Sequence, residues 1–147
     1  MEEYAEWTIL IASTFSKSVE SLIMFKDTIY TMKKSDLKSP RKVMETLLNL
    51  EFYGLTDIVK ALNHVYNANF KSKCVVLISD LKQTVKSTLK PHNVIEKLVK
   101  AGRRVIVITP SSYDYEERSN VERVGGKVVK ISSYKDLVKI LSKILKY

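Results

Sequence analysis

The sequence predicts an α/β protein built on a largely parallel, Rossmann-like sheet, and three observations in its second half carry that expectation. Residues 73–79 (KCVVLIS) and 103–109 (RRVIVIT) are short runs rich in β-branched apolar residues, as strands buried on both faces of a parallel sheet require. Between them, residues 91–101 (PHNVIEKLVKA) place Val94, Ile95, Leu98 and Val99 at helical spacing, with Gly102 as the stop. Residues 114–124, 127–131 and 134–145 then repeat the order helix, strand, helix. Strand, helix, strand in sequence is a βαβ unit with a right-handed crossover. The expected architecture is a three-layer sandwich: a mostly parallel sheet of about five strands with an antiparallel edge hairpin, and helices on both faces.

Taken in order, residues 2–16 place Tyr4, Trp7, Ile11 and Phe15 at helical spacing, while the β-branched Thr8, Ile9 and Ile11 would also suit a strand. The acidic start and the short distance to the next strand favour helix. Residues 21–25 and 28–32 read as two strands joined by a tight turn at Lys26-Asp27. Residues 40–50 read as a helix with Val43, Leu47 and Leu48 inward, and residues 56–67 as a second whose Asp57 sits where a carboxylate favours the helix dipole. Residues 114–124 start acidic and stop at Gly125-Gly126. In residues 134–145 Leu137, Val138, Leu141, Ile144 and Leu145 share one face, with Lys135, Lys139 and Lys143 mostly off it.

With 147 residues, 45% of them hydrophobic and 28% charged, the chain has the composition of one folded domain spanning residues 1–147. Glu2 and Glu3 have the wrong sign for a signal peptide, and no apolar run approaches the ~18 residues that span a bilayer, so no membrane and a cytoplasmic location are expected. Cys74, just before an apolar run, reads as a small core residue rather than a redox or metal ligand. The net charge is +9, and lysine supplies 20 of the 25 basic residues, scattered along every segment, with Lys33/Lys34 and Arg103/Arg104 as the short clusters. Such charge suits an acidic partner such as nucleic acid. It equally suits the solvated, lysine-rich surface of a heat-adapted protein, which the scatter favours.

Enzyme signatures are missing: no Gly-x-Gly-x-x-Gly, Walker, nucleophile-elbow or Cys-x-x-Cys pattern occurs. His64 and His92 fall in or beside helices with no Cys or carboxylate at metal-ligand spacing, and read as surface residues. Ser111, Ser112, Tyr113 and Asp114 follow a strand at the carboxyl end of the sheet, where open α/β folds bind ligands. They form a candidate contact surface, with Tyr113 and Tyr115 as aromatic anchors.

Four motifs stand in a specific order: LIMFKDTIY (22–30), GLTDIVKAL (54–62), VVLISD (75–80), and AGRRVIVI (101–108) with GGKVVKISSYKDLVKIL (125–141). From residue 21 to the end the chain thereby resembles a von Willebrand factor A-type domain, especially the prokaryotic type often encoded near AAA+ ATPases. The resemblance implies a divalent cation at the carboxyl edge of the sheet, held by an Asp-x-Ser-x-Ser segment, the Thr of Gly-x-Thr-Asp and the Asp after the central strand. Thr56 and Asp80 take the second and third positions. The first segment is absent. Reading residues 12–16 (ASTFS) as its remnant would put Ala12 at the essential carboxylate and leave no room for the following helix, so that reading is rejected.

Mg²⁺ wants about six oxygens, and Thr56 with Asp80 offers one hydroxyl and one carboxylate. No cofactor is therefore expected, and Mg²⁺ binding only weakly, at a degenerate site. Structural roles account for both aspartates: Asp57 as a helix-start residue and Asp80 closing a strand-to-helix loop. The missing first strand would lie between those ending at Phe25 and Ser79, and two unpaired edges inside a sheet are not tolerable. Direct pairing of those strands is the expected remedy; a strand donated by a second copy or another protein is the alternative. The function expected is a non-catalytic protein-interaction or assembly module acting through the loops of Thr56, Asp57, Asp80, Ser111, Tyr113 and Asp114. Its partner would be another protein, by resemblance an AAA+ ATPase, or a second copy in a homodimer. A basic nucleic-acid-binding protein and a Mg²⁺-dependent hydrolase or phosphotransferase using Asp80 are the alternatives.

Overall fold

The structure is a computed structural model that describes residues 16–49, 55–110 and 113–144. The expected helix over residues 2–16 and the rejected motif at residues 12–16 lie outside them, apart from Ser16, which opens a short 3₁₀ turn, Ser16–Ser18. The elements in chain order are β1 (Ile23–Phe25), β2 (Ile29–Thr31), α1 (Lys34–Leu37), α2 (Pro40–Leu48), α3 (Ile58–Asn67), β3 (Cys74–Ile78), α4 (Pro91–Lys100), β4 (Arg104–Thr109), α5 (Tyr115–Arg123), β5 (Lys127–Lys130) and α6 (Tyr134–Ile144). Two compact units emerge, one of Met1–Met24, Tyr30–Tyr53 and Ser132–Tyr147, the other of Phe25–Ile29 and Gly54–Ile131. No helix among the described residues is long and apolar enough to cross a membrane.

The second unit contains the parallel sheet, in the order β3-β4-β5. Its register aligns Leu77 with Val107 and Val107 with Val128, so these side chains share one face. There they join Ile58, Val59 and Leu62 of α3, Val94, Ile95 and Leu98 of α4 and Val121 of α5 in one core cluster. Ile106 and Ile108 alternate to the opposite face and are also buried, which is why β4 reads as an unbroken apolar run. Each such side chain contributes about 1.5–3 kcal/mol on burial.

Glycine ends two of the helices for steric reasons. Gly102 and Gly125 adopt φ +85° and +100°, where a side chain is strained. Gly126 is needed for closeness: a Cβ there would stand 2.6 Å from Val121 Cγ1 and 3.2 Å from Ile95 Cγ2.

In the first unit, Met32, Leu37, Val43 and Leu47 form a separate cluster. Ser39 caps α2 by accepting from the Lys42 amide, and Pro40 starts it with the φ a first helical residue needs. Leu48, expected inward, is 64% exposed. Val43 and Leu47 are four residues apart and share a stripe, whereas Leu48 is turned a further 100° away. The four-residue α1 has no counterpart in the sequence reading, because one turn is too short to show a period. At the start of α6, Asp136 accepts from the amide and hydroxyl of Ser132, which hold its carboxyl below the usual range, while its own amide donates to Ser133 Oγ.

Among the described residues five strands are present as expected, but in two hydrogen-bonded sets: the β1-β2 hairpin and the three-stranded parallel sheet. The expected direct pairing of the Phe25 and Ser79 strands is not made: among the described residues no ladder joins β1 to β3. The three-residue β1 directs its bonds to its hairpin partner, and the turn is fastened elsewhere, Lys26 accepting from the Asp57 amide at 2.7 Å.

Two measurements follow from this packing. Gly126→Ala is expected to cost on the order of 1–3 kcal/mol through overpacking against Val121, seen as a lower urea midpoint at unchanged slope. Burial pushes the Cys74 thiol up, against the opposing pull of Arg104. It should therefore react with a disulfide reagent more slowly than a free cysteine below pH 8, and equal rates would contradict the burial.

Candidate functional site

The carboxyl edge of the parallel sheet is organised by the loop that leaves β3. Ser79 extends the ladder by donating its amide to Ile108, and its hydroxyl accepts from the Leu81 amide at 3.0 Å. Leu81 sits at φ 63°, an unfavourable conformation for a leucine, offset by near-complete burial of its side chain. Asp80 Oδ1 accepts from the Lys82 amide at 3.0 Å, and the Asp80 carbonyl accepts from the Asp114 amide at 3.0 Å. The turn is thus locked to itself and to the start of α5.

Gln83 then reaches α3. Its Oε1 accepts from the amides of Ile58, at 2.6 Å, and Val59, at 3.3 Å, while its Nε2 donates to Asp57 Oδ1 at 2.8 Å and to the Val85 carbonyl at 3.2 Å. The first-turn amides of a helix have no partner within it, so here a distant loop supplies one. Asp57 is the N-cap, its Oδ1 also accepting from the Lys60 amide at 3.0 Å. Lys60 Nζ donates to the Asp27 carbonyl at 3.1 Å. Thr84 holds Thr56 by its backbone: Thr84 Oγ1 accepts from the Thr56 amide at 2.6 Å, and the Thr84 amide donates back to the Thr56 carbonyl at 3.0 Å. Segments far apart in sequence, at residues 25–27, 55–57 and 79–85, therefore meet as one hydrogen-bonded assembly.

Asp114 caps α5, accepting from the Glu117 amide at 3.0 Å. Glu117 has the spacing of a capping box, yet its carboxylate turns to α4 instead. Its Oε1 accepts from the His92 amide at 2.6 Å and lies 2.8 Å from His92 Nδ1. Glu117 is 5% exposed, so His92, expected at the surface, is a partly buried partner that satisfies an otherwise isolated carboxylate. His64 is exposed, as expected. Tyr113, expected as an exposed anchor, is only 6% exposed; its hydroxyl pairs with Arg118 and its ring lies 4.5 Å from that of Tyr115. Tyr115 is the accessible one, at 67%. Ser111 and Ser112 lie outside the described residues.

The donor set does not fit a hard divalent cation. Thr56 offers one hydroxyl, and one oxygen of Asp80 already accepts from the Lys82 amide. No group of three or more His, Cys, Asp or Glu side chains suited to a metal occurs among the described residues. What the edge does offer is a cleft of about 340 Å³ between the loop after β3 and the starts of α4 and α5, lined by Lys86, Lys90, Asp114 and Glu116 among others. Gln83, Thr84, His92 and Glu117 escaped the sequence reading. The signals for the last two were weak: a second helical position with a free amide, and an Asp-x-x-Glu helix start.

No family model and no curated protein matches the chain. Solved structures do. Proximal thread matrix protein 1 from the mussel byssus, solved with a zinc-occupied MIDAS motif, is similar at TM-score 0.68 and 18% identity over 99% of this chain. A von Willebrand factor type A structure from Catenulispora acidiphila is similar at TM-score 0.70 and 12% identity over 96%. The conserved hypothetical protein BatB from Bacteroides thetaiotaomicron gives 0.66 and 14% over 97% of this chain and 89% of its own. The chain spans 43% of the byssus protein and 37% of the Catenulispora protein. These likenesses show the fold: the chain has a von Willebrand factor A-type α/β fold.

Gln83→Ala is expected to lower stability by about 1–3 kcal/mol, because it strands the Ile58 and Val59 amides. Hydrogen exchange at those two amides should accelerate; unchanged exchange would mean that another group holds the helix start.

Proposed function

We propose that this chain is a non-catalytic protein-interaction or assembly module of von Willebrand factor A type, and that its partner docks on the carboxyl edge of the sheet. The observation that carries this reading is the Gln83, Thr84 and Asp57 network, whose hydrogen bonds hold the loops of Thr56 and Asp80 in place. A preorganised surface binds without the cost of ordering its loops. The cleft beside it is lined by both signs of charge, Lys86 and Lys90 with Asp114 and Glu116. Tyr115 stands exposed next to it with its ring packed on Tyr113, a rigid aromatic of the kind that anchors interfaces.

Thr56 and Asp80 are in this reading the remnant of a metal-ion-dependent adhesion site, reassigned to shaping the loops. The byssus protein's zinc-occupied motif shows that a relative in fold retains a metal; here the carboxylates serve the backbone, Asp57 as a cap and Asp80 in a turn. The partner class carried by the sequence resemblance is an AAA+ ATPase.

A photo-crosslinking residue placed at Tyr115 in the full chain tests the reading in cells. It should yield one discrete adduct, removed by excess wild-type chain but not by excess Tyr115→Ala/Glu116→Lys chain. An ATPase in the adduct supports the heteromeric form and a second copy of the chain supports the homomeric one. An adduct competed equally well by the variant would sink the proposal.

A further inference from the structure

The opposite, amino edge of the same sheet carries a second surface, and we propose that it binds the phosphodiester backbone of a single-stranded nucleic acid. The proposal does not depend on docking at the carboxyl edge. Cys74 aligns with Arg104 and Ile106 with Lys127, so the segments entering β3, β4 and β5 lie side by side. Those segments, residues 70–73, 101–104 and 125–127, contain Lys71, Lys73, Arg103, Arg104 and Lys127 and no aspartate or glutamate. Lysines scattered along the sequence are thereby gathered on one edge.

The side chains divide the work. Lys71, Lys73, Arg104 and Lys127 are exposed. Arg103 builds the site: one guanidinium nitrogen donates to the Ser72 carbonyl at 2.7 Å and the other to the Phe70 carbonyl at 3.3 Å, fixing the loop before β3. The Arg104 amide donates to the Lys73 carbonyl at 2.7 Å, fastening the two segments to each other. Between them is a depression of about 260 Å³ lined by Phe70, Lys71, Lys73, Gly102 and Arg103. Nothing lies within 4 Å of the place a Gly102 Cβ would take, so the depression is open there. An aromatic ring within a ring of cations is the combination that stacks a base while lysines follow the phosphates. An acidic polypeptide would use the cations and leave the aromatic without a role. Residues 70–73, 101–104 and 125–127 themselves hold five cations and no acid, the adjoining helix end adding the Lys100–Glu96 pair.

Fluorescence anisotropy of the full chain with labelled dT20 and rU20 oligonucleotides tests the proposal. Binding should weaken with salt, with a log–log slope approaching about −3 if four cations each meet a phosphate. Lys73→Glu with Arg104→Glu should weaken binding at least tenfold, and Phe70→Ala at least fivefold at unchanged slope. Lys139→Glu with Lys143→Glu, which changes net charge equally on α6, should weaken it less than twofold. Tighter binding of dT20 or of rU20 assigns the sugar. Equal loss in both charge-reversal pairs, no salt-dependent binding of either oligonucleotide, or displacement by poly-glutamate as readily as by unlabelled oligonucleotide would each overturn the proposal.

Discussion

The first turn of α3 has amides that its own helix cannot bond, and the carboxamide of Gln83 takes two of them while its nitrogen holds the capping carboxylate of Asp57. A carboxamide carries an acceptor oxygen and a donor nitrogen in one plane, which lets a single residue serve both the helix start and its cap. From this contact the remaining geometry of the carboxyl edge follows. Asp57 is fastened to Lys26 of the hairpin turn, Thr56 to Thr84, and Asp80 to the start of α5. Amide and hydroxyl groups of Gln83 and Thr84 draw these loops together.

The sheet beneath sets two surfaces apart. Parallel strands put all their amino ends at one edge and all their carboxyl ends at the other. In this chain the segments entering the strands carry lysine and arginine, while the second edge mixes Asp114, Glu116 and Glu117 with Lys86 and Lys90. Helix termini reinforce the pattern, since an N-terminus favours carboxylates and a C-terminus favours cations. Asp57 and Asp114 cap α3 and α5, whereas α4 ends in Lys97 and Lys100. Two surfaces of different chemistry are a consequence of one topology.

Much of the fold was legible in the chain. The second half was read within a residue or two because β-branched runs, helical spacing and glycine stops all agreed at β3, α4, β4, α5 and β5. Local reasoning failed where a side chain's partner is remote in sequence. His92 has no neighbouring carboxylate along the chain and acquires Glu117 from another helix. Tyr113 looks like a loop residue, but Arg118 and Tyr115 cover it. Leu48 is apolar yet lies off the buried stripe of α2, and pairing of β1 with β3 depended on edges that pattern cannot match.

The sequence by itself determined the α/β class, the order and bounds of most elements, and the helix start at Asp57. These depend on periodicity and on bonds spanning three or four residues, which a linear reading contains. Only the tertiary structure decided that Gln83 organises the site, that Glu117 is satisfied by His92, and that dispersed lysines converge on one edge of the sheet. Those are contacts between residues about twenty-five or more apart along the chain. Their formation depends on strand order and register, which hydrophobic pattern constrains but does not specify.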